Sequence, residues 1–340
     1  MAGKLVTARR KALRGKVISI VLVVLVSVIA VGYMSGRQPD RDAVAAASKE
    51  FDTAFRGMFV DANGVRLHVV IAGPEDGKPI LLLHGYPEFW YAWRGVMADL
   101  ARKGYRVIAL DQRGYNRSAK PSGAHSYRLN ILAKDIVEVA AALGHERFAL
   151  VGHDFGGQVT WWTSLLHPKK VVGALVVNKP HPYAIRDVRP EEEAISWYRT
   201  FLRVPWLPGH IARYGNWGLL EKNLQDTSEP GTFSKEVMDQ YKAAWDRDGS
   251  IHSMGAWYRA NATFDADVGA GLVTVPARLL LAKNDAFSPP ELAFASERYL
   301  EKGDVRELHI GTHWVIQEHP RLIADEIDKF VGGLEWTSGR

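Results

Sequence analysis

Three residues carry, in chain order, side chains suited to one covalent reaction. Asp154 lies in "GHDFGG" (152–157), Asp285 in "LLLAKND" (279–285) and His313 in "ELHIGTHW" (307–314). A carboxylate is ionised at neutral pH, so Asp154 can attack an electrophilic sp³ carbon without first losing a proton, leaving an alkyl ester on itself. Water must then cleave that ester at the carboxyl carbon. A histidine deprotonates the water, and a second aspartate orients the imidazole and stabilises its protonated form. The oxyanion formed on Asp154 needs donors, for which the backbone N–H groups of Tyr86 and Phe155 are the candidates. Singly these residues are ordinary: an aspartate at a strand end is commonly a cap or turn residue, and His313 is one of 12 histidines. Their order and shared context point to a site.

That chemistry needs a scaffold that brings the three together. Short apolar runs rich in branched residues predict strands at 65–71, 79–85, 106–111, 148–153, 171–178, 277–285 and 306–314. Helical stretches lie between them, such as 128–144 with its closing glycine and 320–333. This alternation implies a mostly parallel sheet with helices on both faces. In such sheets ligands bind beyond the carboxyl ends of the strands, where Asp154, Asp285, His313 and "HGYPEFW" (84–90) all fall. Residues 180–265 break the alternation with Trp-, Tyr- and Pro-rich helical pieces and read as a lid inserted between two sheet strands. Asp154 sits between a strand and a helix flanked by glycines, the nucleophile-elbow context, and the order nucleophile, acid, histidine is that of the α/β-hydrolase fold.

"HGYPEFWYAWR", "DQRGYNRSAKP", "GHDFGGQVTWW", "NKPHP", "VPWLPG", "AWYRAN", "KNDAFSPP" and "THWVIQEHP" together resemble the epoxide hydrolases of the α/β-hydrolase superfamily, over roughly residues 57–332. With the N-terminal segment, the membrane-anchored members look most similar. The resemblance implies Asp154 as nucleophile, His313 as water-activating base and Asp285 as third member. It also implies two lid tyrosines that hold and protonate the epoxide oxygen, matched by Tyr258 in "AWYRAN" and Tyr198 in "WYRTFLRVP". The residues alone do not single these out from Tyr183, Tyr214 or Tyr241. A phenol suits the task because ring opening creates a strongly basic alkoxide. The implied reaction opens an epoxide to a vicinal diol.

Dehalogenation of a haloalkane or haloacid is the nearest alternative, since it begins with the same attack. A leaving halide needs N–H donors, and related dehalogenases typically carry Trp directly after the nucleophile, where this chain has Phe155. A noncatalytic binding protein on the same fold is the alternative of another class. The expected partners are a small apolar epoxide and water. No cofactor is expected, and no metal-ligand cluster or nucleotide-binding glycine loop stands out. His84 and His153, beside strand ends, are expected to hydrogen-bond within their turns. Asn116 stands where the loop pattern calls for glycine, and Asn tolerates a left-handed backbone. Asn116 and Asn261 also begin glycosylation sequons.

The formal net charge of +5 gives no argument for nucleic-acid binding, because Lys4, Arg9, Arg10, Lys11, Arg14 and Lys16 alone exceed it. With no cysteine, disulfides and thiolate chemistry are excluded. The apolar run at 17–34 follows this basic segment, and reads as a transmembrane anchor or a cleavable signal. The positive-inside tendency then puts the catalytic domain on the non-cytoplasmic side of the membrane, or leaves it secreted or periplasmic after cleavage. The expected organisation is a basic segment (1–16), the apolar segment (17–34), a linker with one short helix (35–56), the first part of an α/β-hydrolase core (57–179), a helical cap (180–265) and the second part of the core (266–335). If the epoxide reading holds, Tyr258→Phe lowers turnover of an aryl oxirane about 100-fold. Undiminished turnover in a steady-state assay, or preference for a bromoalkane, would remove the lid-acid assignment.

Overall fold

Branched apolar runs bounded by Gly, Asp and Asn fold into strands wherever both faces can be covered. The computed structural model describes residues 38–188, 203–205, 207–261 and 271–336. Among these the strands are β1 (Arg56–Ala62), β2 (Val65–Ala72), β3 (Pro79–Leu83), β4 (Arg106–Leu110), β5 (Phe148–His153), β6 (Val171–Val177), β7 (Ala277–Asn284) and β8 (Gly303–Thr312). They form one sheet in the order β1-β2-β4-β3-β5-β6-β7-β8. From β4 through β8 every neighbouring pair is parallel, whereas β2 runs antiparallel to both β1 and β4. Every residue of the central strands β5 and β6 is buried, as expected where helices cover both faces. This is the α/β-hydrolase fold.

β1 is absent from the sequence expectation. It pairs with β2 through a hairpin turned at Asn63 (φ 49°) and Gly64 (φ 72°). Asn-Gly between strand-forming residues is a strong hairpin signal, but β1 exposes much of one edge and lacks a continuous apolar run.

The helices used below are α1 (Ala43–Phe51), α2 (Arg94–Arg102), α3 (Leu129–Ala142), α4 (Phe155–Leu166), α5 (Leu207–Arg213), α6 (Gly218–Asp226), α7 (Lys235–Trp245), α8 (Ser250–Ala260) and α9 (Pro320–Gly332); further short helices lie among them, at Pro182–Val188, Pro290–Ala295 and Val315–Glu318. Helices α5 to α8 belong to the stretch between β6 and β7 that interrupts the strand–helix alternation. Trp217, Tyr241, Trp245 and Trp257 from this stretch are almost wholly buried, which explains its aromatic content as packing.

Residues 38–51 lie against the rest of the protein. Asp42 caps α1 by accepting from the Val44 and Ala45 N–H groups, and Ala47 is fully buried. The Gln38 N–H donates to Asp246, Arg41 pairs with Asp239 at 3.0 Å, and Asp40 pairs with Arg247.

No helix among the described residues is long and apolar enough to cross a membrane. The expected single-pass placement, with the catalytic domain on the non-cytoplasmic side, is therefore corrected: no described element supports it. Residues 17–34, on which it was based, lie outside the described residues.

The close seating of α4 on β3 depends on a bare backbone. A Cβ at Gly156 would fall 2.1 Å from the Leu83 carbonyl oxygen, inside the strand that leads to Tyr86. Gly156→Ala is expected to lower unfolding free energy by about 3 kcal/mol, the upper part of the overpacking range. Urea denaturation checks this; a midpoint equal to wild type would mean that β3 yields freely.

Candidate active site

The chain leaves the buried strand β5 at His153 and enters α4 at Phe155, so one residue must make the whole turn. Asp154 does so with φ 48° and ψ −118°, a conformation costly for any residue with a Cβ. The turn lifts its carboxylate above the carboxyl end of the sheet.

The two carboxylate oxygens of Asp154 face different groups. Oδ1 accepts a hydrogen bond from the Tyr86 N–H at 3.0 Å, in the loop after β3. Oδ2 lies 3.9 Å from Nε2 of His313 and 3.8 Å from Nζ of Lys179. The N–H of Phe155, first residue of α4, has no acceptor within its helix, as holds for any helix N-terminus. Burial pushes the Asp154 carboxyl upward. Lys179, His313, His153 and the Tyr86 N–H outweigh that, and hold it below the usual aspartate value.

His313 follows β8 and is almost wholly buried. Its Nδ1 lies 3.0 Å from both carboxylate oxygens of Asp285, which follows β7. Asp285 is itself fixed, since Oδ1 accepts from the N–H groups of Phe287 (2.7 Å) and Ser288 (3.2 Å). An Nδ1–H directed at Asp285 leaves Nε2 of the neutral ring as a free base facing Asp154. Burial pushes His313 downward, but Asp285, then Asp154 and Glu88, carry it above the ordinary histidine value.

The aromatic surroundings include Tyr258. From α8 its ring meets the Phe155 ring edge-on at 4.8 Å and the Tyr86 ring edge-on at 5.4 Å. Phe287 meets His313 at 4.8 Å. The structure thus brings together Asp154, Asp285, His313, Tyr86, Phe155 and Tyr258. Tyr198 lies outside the described residues.

Two groups escaped the sequence reading. Lys179 follows β6 in "NKPHP", and nothing in its spacing signals proximity to Asp154. Glu88, buried beneath the site, accepts from Gln317 Nε2 at 2.8 Å, and its Oε2 lies 2.9 Å from His153 Nδ1. His153 Nε2 in turn lies 2.8 Å from the carbonyl oxygen of His313. His153 therefore bridges two distant loops instead of bonding within its own turn. His84 does close its own turn, with Nδ1 against the Gly85 carbonyl, while Nε2 accepts from Gln112 N.

Asn116 adopts φ 39°, as its replacement of glycine requires. Its Nδ2 donates to Asp111 and its Oδ1 accepts from Arg247. Asn261 Nδ2 donates to the Tyr127 and Trp257 carbonyls. Both sequon amides are thus engaged within the fold. Glu229, Glu318 and His319 bring three potential metal-ligand atoms within 4.8 Å of one another. Glu318 already accepts from the N–H groups of Glu229 and Thr312, and His319 pairs with Glu229. These bonds account for the cluster as a tie between the chain preceding α7 and the loop after β8.

Residues 78–204 match the α/β-hydrolase fold family. "AB hydrolase superfamily protein YfhM" of Bacillus subtilis is 36% identical over 269 residues, covering 78% of this chain and 94% of that protein. Human "Epoxide hydrolase 4" is 33% identical over 272 residues, covering 77% of this chain and 74% of the relative. The chain belongs to the epoxide hydrolase family. "Epoxide hydrolase A" of Mycobacterium tuberculosis, also in this epoxide hydrolase family, is 32% identical and covers 81% of this chain and 97% of its own length. The crystal structure of Bacillus megaterium epoxide hydrolase with an inhibitor superposes with a TM-score of 0.71 at 26% identity, over 81% of this chain and all of that one.

The electrostatics of His313 give a test. Asp154→Asn removes a negative charge 3.9 Å from Nε2 and is expected to lower the pKa of His313. Asp285→Asn, at 3.0 Å, is expected to lower it further. Imidazole NMR titration reads both; an unmoved His313 in Asp154→Asn would mean that the two groups are not electrostatically coupled.

Proposed function

We propose that the protein hydrolyses a small apolar epoxide to a vicinal diol through an alkyl ester on Asp154. The observation that carries this reading is the division of the Asp154 carboxylate, with Oδ1 on the Tyr86 N–H and Oδ2 turned toward His313 Nε2.

Oδ2 attacks a ring carbon, the carbon–oxygen bond of the epoxide breaks, and its electron pair goes to the ring oxygen. The phenol of Tyr258 gives that oxygen a proton, with Tyr198 as the second lid donor implied by the family pattern. His313 then takes a proton from water, and the hydroxide attacks the carboxyl carbon. The negative charge that develops on Oδ1 is met by the N–H groups of Tyr86 and Phe155. Asp285 balances the imidazolium. Collapse expels the diol through Oδ2, which His313 protonates; the acid proton left on Asp154 passes to the Tyr258 phenolate, and both the carboxylate and the phenol are restored. Aromatic side chains around Asp154 favour an apolar substrate. The helices of residues 180–265 act as the cap, between core parts at 57–179 and 266–335.

The dehalogenase alternative needs side-chain N–H donors beside the nucleophile. Phe155 has none, and the nearby indoles are committed elsewhere. Trp257 donates to the Arg113 carbonyl at 2.9 Å and Trp314 to Thr227 Oγ1 at 2.9 Å. A binding protein would have no need of the buried Asp285–His313 pair.

His313→Gln is expected to form the ester and fail to cleave it. Rapid quench and intact-mass analysis with an aryl oxirane should then find one substrate mass added at Asp154, and none in Asp154→Ala. Absence of any adduct, or an adduct formed only from a bromoalkane, would defeat the epoxide reading.

A further inference from the structure

A cavity of about 270 Å³ has walls that include none of Asp154, His313 and Tyr258. It is just smaller than most small-molecule sites, which run from about 300 Å³ upward. The β1–β2 hairpin supplies Gly57, Phe59 and His68 to it, and Phe89 and Trp90 add further aromatic surface. Arg41, Arg117 and Arg247 bring three guanidiniums, and α7 closes the space with Ala243 and Ala244.

The polar part of this lining is a connected set. His68 is only 5% exposed, and its Nδ1 lies 2.7 Å from Asp111 Oδ2. Asp111 accepts from Asn116 Nδ2 at 2.8 Å, and Asn116 Oδ1 accepts from Arg247 Nε at 2.7 Å. Arg247 then shares Asp40 with Arg117. An Nδ1–H directed at Asp111 leaves His68 Nε2 as an acceptor, and Nε2 has no partner among the described residues. A Cβ at Gly57 would fall 3.1 Å from that nitrogen and 3.2 Å from Val44 Cγ2. A glycine within a strand weakens it and often marks a close approach by a ligand or another chain segment. The arginines are only partly satisfied. Arg117 meets Asp40 at 3.4 and 3.5 Å, the outer limit of a hydrogen bond, and Arg41 shares Asp239 with Lys235. Four cations thus share two carboxylates. Asp42, the acid within the lining, is committed to the Val44 and Ala45 N–H groups.

We propose that this cavity is a second ligand site, which binds a small hydroxylated organic carboxylate. Arg117 and Arg247 hold the carboxylate, since a guanidinium matches its geometry and is always charged. The apolar body lies against Phe59, Phe89 and Trp90, and a hydroxyl donates to His68 Nε2. Because the walls come from both the hairpin and α7, an occupant adds contacts between them and raises the stability of the folded state. Nothing in the inference depends on the epoxide reading.

Isothermal titration of the full-length protein with mandelate tests it. Saturable binding is expected in the wild type and in Asp154→Ala alike. Phenylacetate, which lacks the hydroxyl, should bind up to about tenfold more weakly, the worth of one neutral hydrogen bond. Arg117→Gln should weaken mandelate at least about tenfold, as loss of a charged donor does. Gly57→Val fills the space beside His68 and should abolish binding while leaving turnover of an aryl oxirane at the wild-type rate. Arg117 is about one-third exposed, so Arg117→Gln carries the test if Gly57→Val folds poorly. No saturable binding in the wild type would overturn the inference. So would affinity unchanged by Arg117→Gln, or binding lost in Asp154→Ala, which would place mandelate at the nucleophile. Equal affinity for phenylacetate and mandelate would overturn the hydroxyl contact with His68.

Discussion

A carboxylate enclosed by aromatic rings stays charged only if the charge is shared among donors and cations. At Asp154 the sharing is uneven. One oxygen is tied to a backbone N–H, while the other is left between two basic nitrogens that are near but not bonded. The bonded oxygen stays anchored, and the other faces His313 and Lys179. Much of the local architecture follows from maintaining that asymmetry. The strained turn aims the carboxylate, the close seating of α4 on β3 brings Tyr86 to it, and the Asp285–His313 pair holds a base at its open side.

The supports of the site come from strands spread across the sheet. Tyr86 follows β3, Asp154 follows β5, Lys179 follows β6, Asp285 follows β7 and His313 follows β8. The parallel sheet delivers each to the same edge, because successive crossovers return the chain in one direction. Rigid strands rather than loops therefore fix the spacing, and the loops need only end each strand with the right residue. Burial then makes these few charges act on one another, which is why Asp154 is held below its usual range and His313 above its own.

The interior strands, and the placing of Asp154, Asp285 and His313 together at strand ends, were legible in the sequence because each leaves a local signature. A doubly buried strand must be an apolar run, and a nucleophile elbow must have small neighbours. β1 escaped because an edge strand packed on one side need not show such a run, although Asn63–Gly64 marked its turn. Lys179 escaped for a different reason. Its position depends on how far β6 carries the chain and on the space left by Gly157, which are relations between elements distant in sequence. The bridging role of His153 was hidden likewise, since its partners Glu88 and the His313 carbonyl lie 65 and 160 residues away. The apolar stretch at 17–34 lies outside the described residues, among which no helix is long and apolar enough to span a membrane.

The Glu88–His153 bridge has a bearing on how such proteins can be re-engineered. A single buried carboxylate holds Gln317 beyond β8 and, through one imidazole, the backbone of His313, while itself belonging to the loop after β3. Those segments are mechanically one piece. Exchanging any one of them with a relative, as in loop grafting, would carry a foreign geometry into the other two. The unit of transfer is the set, and chimaeras that cut between its members inherit a mismatched frame even when every catalytic residue is kept.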